Sequence, residues 1–454
     1  LGEGLRWKAG IQLFHLRKKS KQGTAEHALA QSAENGWRRE LLAGVVSFFA
    51  IVYIVVVNAK ILSDAGIPQD AGIVATILAS AVGCFIMGIW GKSPIILVPG
   101  MGINAMFTYT LVGGMGLTWQ QALAVVFVSG ICFTVISFTS LAEKLKEAIP
   151  ESLQEAITVG IGLMLVLIGL QKGGVIISDP DTLIKLQPLT NASALVTLAT
   201  LALTCILFMR NVPANLLLSI IGGTVLAYVM GIGGSDASAG AGAQASFSWA
   251  SYGELFAGFS FQGVSVMTFT VAVFSLTLVI VFENVGLINS HLNMTKQPER
   301  FQRSMQANAL SVITCGLFGT SPTVSTVETA AGISAGGRTG LTTIVTGVLF
   351  LATLAALPIL TMIPDEAVAP ILIFIGGLMM PTVKKVKFDP LSEGLPAFFI
   401  IAFIPLMHSI VDGIAIGFIS YALFQLVMGR GRTVKPLFYV IASLFVVHFV
   451  LQAL

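Results

Sequence analysis

The sequence predicts an all-α polytopic membrane protein of about fourteen transmembrane segments, built as a seven-plus-seven inverted repeat with short strands in its third and tenth segments. Three observations carry that prediction. Only 10% of the 454 residues are charged, against roughly 25% in soluble proteins, and the mean hydropathy is +0.89. Apolar runs of about 18–25 residues recur, each long enough to cross ~30 Å of hydrocarbon as a helix. Two patterns from the first half return in the second at nearly one offset.

The segments fall at about 41–63, 71–91, 95–114, 119–141, 152–171, 193–209, 213–231, 264–290, 304–319, 321–336, 340–361, 366–382, 395–410 and 411–428. With a cytoplasmic N-terminus, this parity places 22 of the 25 Lys and Arg on one side: eight in residues 1–40 and fourteen in alternate loops from Lys92 to Lys435. That is the positive-inside bias. Lys60, Lys172 and Lys185 are the exceptions. The stretch 395–428 reads either as two crossings or as a shallow hairpin, and 436–453 either as an interfacial helix or as a fifteenth crossing. Residues 1–34 are polar and basic without an apolar signal core, which predicts a poorly ordered cytoplasmic tail. The loop 232–262, rich in Gly, Ser and Ala and free of Lys and Arg, reads as an external linker between the halves. Cys84, Cys132, Cys205 and Cys315 lie in apolar segments without metal-ligand spacing and read as small hydrophobes.

The repeat is legible in two places. "YIVVVNAKIL" (53–62) resembles "VIVFENVGLI" (279–288) at an offset near 226, and "SPIILVPGMGINA" (93–105) resembles "SPTVSTVETAAGI" (321–333) at 228. Seven segments separate the copies, an odd number, so the second half is inverted. Inverted repeats with interrupted helices place a substrate near the membrane midplane. Pro94 and Pro322 remove backbone donors and the β-branched runs favour extended chain. Each Ser-Pro segment therefore predicts a short strand followed by a half-helix. Extended backbone at this depth must be satisfied by protein or by a wet cavity. Two such segments entering from opposite sides can pair with each other. The half-helix N-termini, near Gly100–Asn104 and Glu328–Ala331, then face the centre with their positive dipole ends.

Glu283 and Glu328 are the clearest acids within predicted segments, and an ionisable group at membrane depth signals function by default. The structural alternative for Glu328 is to cap its own half-helix. Glu283 has no cation within one turn to pair with. For Asn58 a helix-linking amide is the stronger reading. Asn104, in the glycine-rich half-helix, suits a ligand as well as a structural bond, and Phe107 shares its face and could stack on a planar ring or simply pack. His291, His408 and Asp412 have no partner motif and read as structural, and Arg338 reads as a positive-inside anchor. The chain carries no Walker, GxSxG or HExxH sequence, which argues against an ATP-driven pump or an intramembrane hydrolase. No enzyme activity, cofactor or metal is expected.

"NGWRRELLAGVVSFFAIVYIVVVNAKIL", "VPGMGINAMFTYTLV" and "SPTVSTVETAAGISAGGRTGLT" resemble the nucleobase–cation symporter-2 family, in its azaguanine–hypoxanthine–guanine permease branch, from about residue 35 to the C-terminus. The resemblance implies a core domain (37–145 and 263–362) that moves against a gate domain (146–232 and 363–454), flanked by the tail 1–36 and linker 233–262. It also implies a homodimer in the plasma membrane and proton-coupled uptake of a purine nucleobase bound between the third and tenth segments. Carried over residue by residue, Asn104, Glu283 and Glu328 match the family's substrate-contacting positions, with Phe107, Thr329 and Asn58 counted in the same site. Glu283 and Glu328 are the candidates for carrying the proton. The eighth segment departs from the branch pattern: Ile280 stands at the first acid and Glu283 at the second, so that "ENVG" is similar to the E-H-V-G of uracil permeases. Met106 stands where an aromatic is expected.

The expected function is proton symport of guanine, hypoxanthine or adenine, by elevator-like alternating access. A uracil or xanthine permease of the same fold, an anion exchanger of the same architecture and a non-transporting membrane scaffold are the alternatives. Two central acids would repel a bound anion. The expected partners are the base, the coupling proton, the bilayer and a second copy of the chain, with no nucleic acid.

Overall fold

The computed structural model describes residues 36–139, 147–179, 182–188, 190–232 and 249–453. The predicted N-terminal tail and most of the external linker lie outside these residues. Each of the fourteen predicted segments coincides with an element. In the first half these are α1 (Gly36–Asp64), α2 (Gln69–Gly91), α4 (Trp119–Phe138), α5 (Glu151–Lys172), α6 (Ala192–Met209) and α7 (Asn215–Val229). Between α2 and α4, strand β1 (Leu97–Pro99) leads into α3 (Met101–Ala105), which continues as a π-helix, Met106–Gly114. A hairpin, β2 (Ile176–Asp179) and β3 (Leu183–Leu186), joins α5 to α6.

The second half begins with a short helix α8 (Trp249–Leu255) and the 30-residue α9 (Val266–Thr295). There follow α10 (Phe301–Phe318), β4 (Thr323–Ser325) and α11 (Thr329–Ser334). The chain then forms α12 (Gly340–Leu360), α13 (Asp365–Lys385), α14 (Leu391–Met407), α15 (Ile410–Val427) and α16 (Pro436–Ala453). Among the described residues, nine helices are long and apolar enough to cross a membrane. α10 is more polar because Ser304, Asn308 and Ser311 are buried inside the protein, away from lipid.

Local chemistry sets the boundaries. Thr118 and Gln121 form a reciprocal capping box that starts α4, satisfying two backbone donors the helix cannot. Pro68, Pro150, Pro364 and Pro390 stand immediately before α2, α5, α13 and α14. A proline's fixed φ and missing donor cost nothing there. His408 takes the left-handed conformation, φ 51°, and reverses the chain between α14 and α15. The segment 395–428 thus forms two helices that pack on each other, α14 of 17 residues and α15 of 18. α16 packs on them through stacked Phe418 and Phe438, with ring centroids 5.2 Å apart.

The two Ser-Pro segments meet as predicted. β1 and β4 pair antiparallel, with Leu97 opposite Ser325, Val98 opposite Val324 and Pro99 opposite Thr323. All six residues are buried. Around this crossing, α1 to α4 pack with α9, α10 and α12, while α5, α6 and α7 pack with α13 and α14.

Part of the expected linker belongs to the body of the protein. In α8, Tyr252 and Leu255 are buried, and just beyond it Ala257 N donates to Leu317 O at 2.7 Å. The Gly/Ser/Ala-rich composition concealed the aromatic and leucine residues of "SYGELFAGF" that anchor this stretch, among them Phe259 stacked on Phe127 at 5.1 Å.

The three cations that broke the charge rule each have an acidic neighbour. Lys60 pairs with Asp365 at 3.0 Å, Lys172 with Asp64 at 2.8 Å and Lys185 with Asp179 at 4.0 Å. Tyr109 also donates to Asp64, at 2.6 Å. The first two pairs join α1 to α13 and to α5, so they tie one packing group to the other.

Candidate functional site

The site is built where the strands end. Gly100 has extended backbone angles, φ −78° and ψ 135°, at the start of α3, and Asn104 N donates back to Gly100 O at 2.8 Å. A Cβ at position 100 would lie 2.5 Å from Val324 Cγ2 and 3.5 Å from Glu283 Oε1. The close crossing of the strands thus demands glycine and brings α3 beside the Glu283 carboxylate. Opposite, Glu328 stands at the start of α11 and makes no side-chain capping bond to it. The capping role is not taken.

Glu283 and Asn284 have separate roles. Asn284 is buried, donates to Ile280 O at 2.8 Å and accepts from Ser325 N at 2.9 Å. It pins the end of β4 to α9. His291 adds a bond to the same strand residue, with Nδ1 3.1 Å from Ser325 Oγ. Glu283, by contrast, is half-buried and forms no hydrogen bond or ion pair among the described residues.

Glu328 is half-buried and accepts at Oε1 from the Tyr53 hydroxyl, 2.5 Å away. Tyr53 lies where α1 departs from regular helix: Val55 N and Val56 N bond back three residues, to Val52 O and Tyr53 O. Sequence reasoning missed this tyrosine. Its one signal was a hydroxyl in the otherwise apolar run "AIVYIVVV", at a position the repeat matches to Val279.

The remaining candidates divide. Asn104 is fully buried; its amide nitrogen donates to Asn58 O at 3.4 Å, and its Oδ1 has no partner. Asn58 does not offer a free group. Its nitrogen donates to Thr76 Oγ1 at 2.7 Å and Thr320 Oγ1 at 2.9 Å, and its oxygen accepts from Ser321 Oγ at 3.0 Å. Thr329 Oγ1 accepts from Ile96 N at 3.3 Å, a bond across the strand crossing. Phe107 is fully buried in the hydrophobic core and presents no open ring face. These three are framework here, because each is enclosed by the packing that forms the crossing. Thr326, two residues before Glu328, was not foreseen; its hydroxyl is buried and unpartnered.

The half of α9 on the side of Lys296 and Arg300 exposes Gly286, Asn289 and Ser290 beyond Glu283, and Val327 beside Glu328 is exposed as well. On the other side of Glu283, 271–281 is buried except for partly buried Phe274, and 266–270 is exposed or partly buried. Beyond it lie the ion pairs of Lys60 and Lys172, and Ile410 N donates to Thr110 Oγ1 at 3.0 Å.

Two crossed half-helices in an inverted repeat, with carboxylates at the crossing, define a secondary-transporter architecture. The chain belongs to the nucleobase–cation symporter-2 family: the model described as "Permease family" (Xan_ur_permease) matches residues 38–425. It is 66% identical to the nucleobase transporter PlAzg2 of Paenibacillus larvae, covering 93% of this chain and 85% of that one. With the guanine/hypoxanthine permease PbuO of Bacillus subtilis it shares 34% identity, over 90% and 96% of the two chains. For the adenine permease AdeP of Escherichia coli the values are 33%, 96% and 98%. The transmembrane domain of the cyanobacterial bicarbonate transporter BicA superposes with a TM-score of 0.64 at 15% identity, over 82% of this chain and 96% of that one. At that identity the likeness is one of fold.

Proposed function

We propose that this protein imports a purine nucleobase (guanine, hypoxanthine or adenine) across the plasma membrane by proton symport. The observation that carries the proposal is Glu283: a half-buried carboxylate without a partner among the described residues, beside Gly100 at the strand crossing. A nucleobase is flat, neutral and edged with N–H donors and carbonyl or ring-nitrogen acceptors. Glu283 accepts two N–H groups and Glu328 a further one, and Asn104 Oδ1, buried and unpaired on α3, is a further acceptor. The names of the relatives, which span nucleobase, guanine/hypoxanthine and adenine transport, support the purine class.

The Glu283 and Glu328 carboxyls can each gain and lose a proton, so one or the other carries the coupled proton. Transport proceeds as an elevator in which the group around the strand crossing slides against the group built on α5 and α13, in a homodimer with a cytoplasmic N-terminus. Exposure of Gly286, Asn289 and Ser290 on the side rich in Lys and Arg supports an inward-facing conformation.

Replacing Glu283 with Gln should abolish concentrative uptake of radiolabelled base into proteoliposomes under an inward proton gradient. Accumulation equal to wild type in that variant would sink the proposal. Competition by guanine, hypoxanthine, adenine, uracil and xanthine identifies the base, and sulfate uptake tests the anion-exchange alternative.

A further inference from the structure

We propose that Tyr53 is a positioning residue of this site: its phenol holds one oxygen of Glu328, leaving the other oxygen as the one without a protein donor, while both oxygens of Glu283 are without one among the described residues. The inference rests on reading the cavity as a nucleobase site. It starts from the bond itself, Tyr53 hydroxyl to Glu328 Oε1 at 2.5 Å, between residues 275 positions apart. The tyrosine ring is 2% exposed, fixed in the core by its neighbours, so the hydroxyl is a stationary donor. Glu328 itself is half-buried and stands at the start of a six-residue helix it does not cap. Without the phenol, three side-chain torsions would be free to turn the carboxylate away from the crossing.

The local backbone serves the same end. The three-residue bonds from Val55 and Val56 interrupt α1 at Tyr53, and a regular helix would aim position 53 elsewhere by a fraction of a turn. Tyr53 and Glu328 also lie in the same packing group, on α1 and at the start of α11. Their contact therefore travels with the substrate site, unlike the Lys172–Asp64 pair, which joins the two groups.

The consequence is a division of labour between the acids. Glu283 takes a pair of adjacent N–H groups such as guanine presents, and Glu328 takes one. The test is Tyr53→Phe, which removes one oxygen atom and keeps the ring. Uptake kinetics should show KM raised about tenfold with Vmax and the thermal midpoint of the ligand-free protein unchanged. The affinity ratio of guanine to hypoxanthine should shift at least severalfold, because the freed carboxylate can accept with both oxygens.

A purely structural bond would instead lower the thermal midpoint and leave KM and the ratio alone, and that result overturns the inference. Should Tyr53→Phe fail to fold, fluorotyrosine at position 53 keeps ring and hydroxyl but donates more strongly. It should change KM, and an unchanged KM overturns the inference equally. Wild-type protein that binds no nucleobase removes the functional reading and this inference with it. Wild-type binding with unaltered variants removes the inference alone.

Discussion

Both ends of the Asn284 amide are engaged, to Ile280 O and Ser325 N, whereas the Glu283 carboxylate one residue earlier meets no protein donor among the described residues. Helical geometry separates them: adjacent residues point about 100° apart, so one faces the strand at Ser325 and the other the start of α3 at Gly100. The same contrast divides Asn58 from Asn104. Asn58 is saturated by three hydroxyls, while Asn104 keeps its Oδ1 free. Asn58→Ala should therefore cost about 1–3 kcal/mol of stability, the scale of stranding buried hydrogen-bonding groups, and lower the thermal midpoint with little change in KM. Asn104→Ala, which loses one long bond to Asn58 O and relieves an unpaired Oδ1, should weaken base affinity by about tenfold, or roughly 1.4 kcal/mol, and lower the midpoint less than Asn58→Ala; equilibrium binding and thermal unfolding of both variants separate the two roles.

At the scale of elements, the two interrupted segments depend on each other. β1 and β4 are three residues each, too short to persist alone at membrane depth, and their pairing satisfies backbone groups that lipid cannot. Two buried cysteines bond to the strands from either side: Cys84 Sγ donates to Leu97 O at 3.6 Å, and Thr323 N donates to Cys315 Sγ at 3.3 Å. At its Asp64 end, α1 is held to α5 and α13 by Lys172–Asp64 and Lys60–Asp365, pairs whose lysines are 15% and 14% exposed. In the proposed elevator these contacts must part before the site opens outward. Lys172→Ala should shift the population toward outward-facing forms. Thr110→Cys, buried against α15 in this conformation, reports it: with the four native cysteines removed, an impermeant maleimide should label it several times faster when Lys172 is also replaced. Equal labelling rates would mean that the pair does not restrain opening.

Across the whole molecule, the halves are joined where glycines let backbones touch. A Cβ on Gly340 of α12 would sit 2.0 Å from Gly88 O of α2, and one on Gly376 of α13 would sit 2.3 Å from Gly162 O of α5. Each contact closes one packing group, and each joins the first half of the chain to the second. Lipid offers helices no hydrophobic gain for associating, so close contact of this kind supplies the attraction. Gly340→Ala should force α2 and α12 apart and destabilise by about 1–3 kcal/mol, as overpacking does, visible as a lower thermal midpoint in detergent. Gly286→Ala, inside α9 with nothing within 4 Å, should hold the midpoint or raise it, by up to about 1 kcal/mol of stability through the helix propensity of alanine, which makes it the control of opposite sign.

The membrane class, the segment order, the inverted repeat and the pairing of the two Ser-Pro strands were all legible in the linear chain. They follow from hydropathy, charge placement and proline chemistry, which act locally and leave a linear trace. Glu283 and Glu328 were legible for the same reason, since a charge in an apolar run stands out without any fold. It took the packed molecule to show that Tyr53 bonds to Glu328, that Asn58, Thr329 and Phe107 are fully buried, and that Lys60 and Lys172 pair with Asp365 and Asp64 across the two packing groups. Each of those outcomes depends on contacts between residues scores to hundreds of positions apart, and on which side of a helix faces a partner. Hydropathy cannot register either, because a buried hydroxyl, amide or ring looks the same in sequence whether it meets a ligand or another helix.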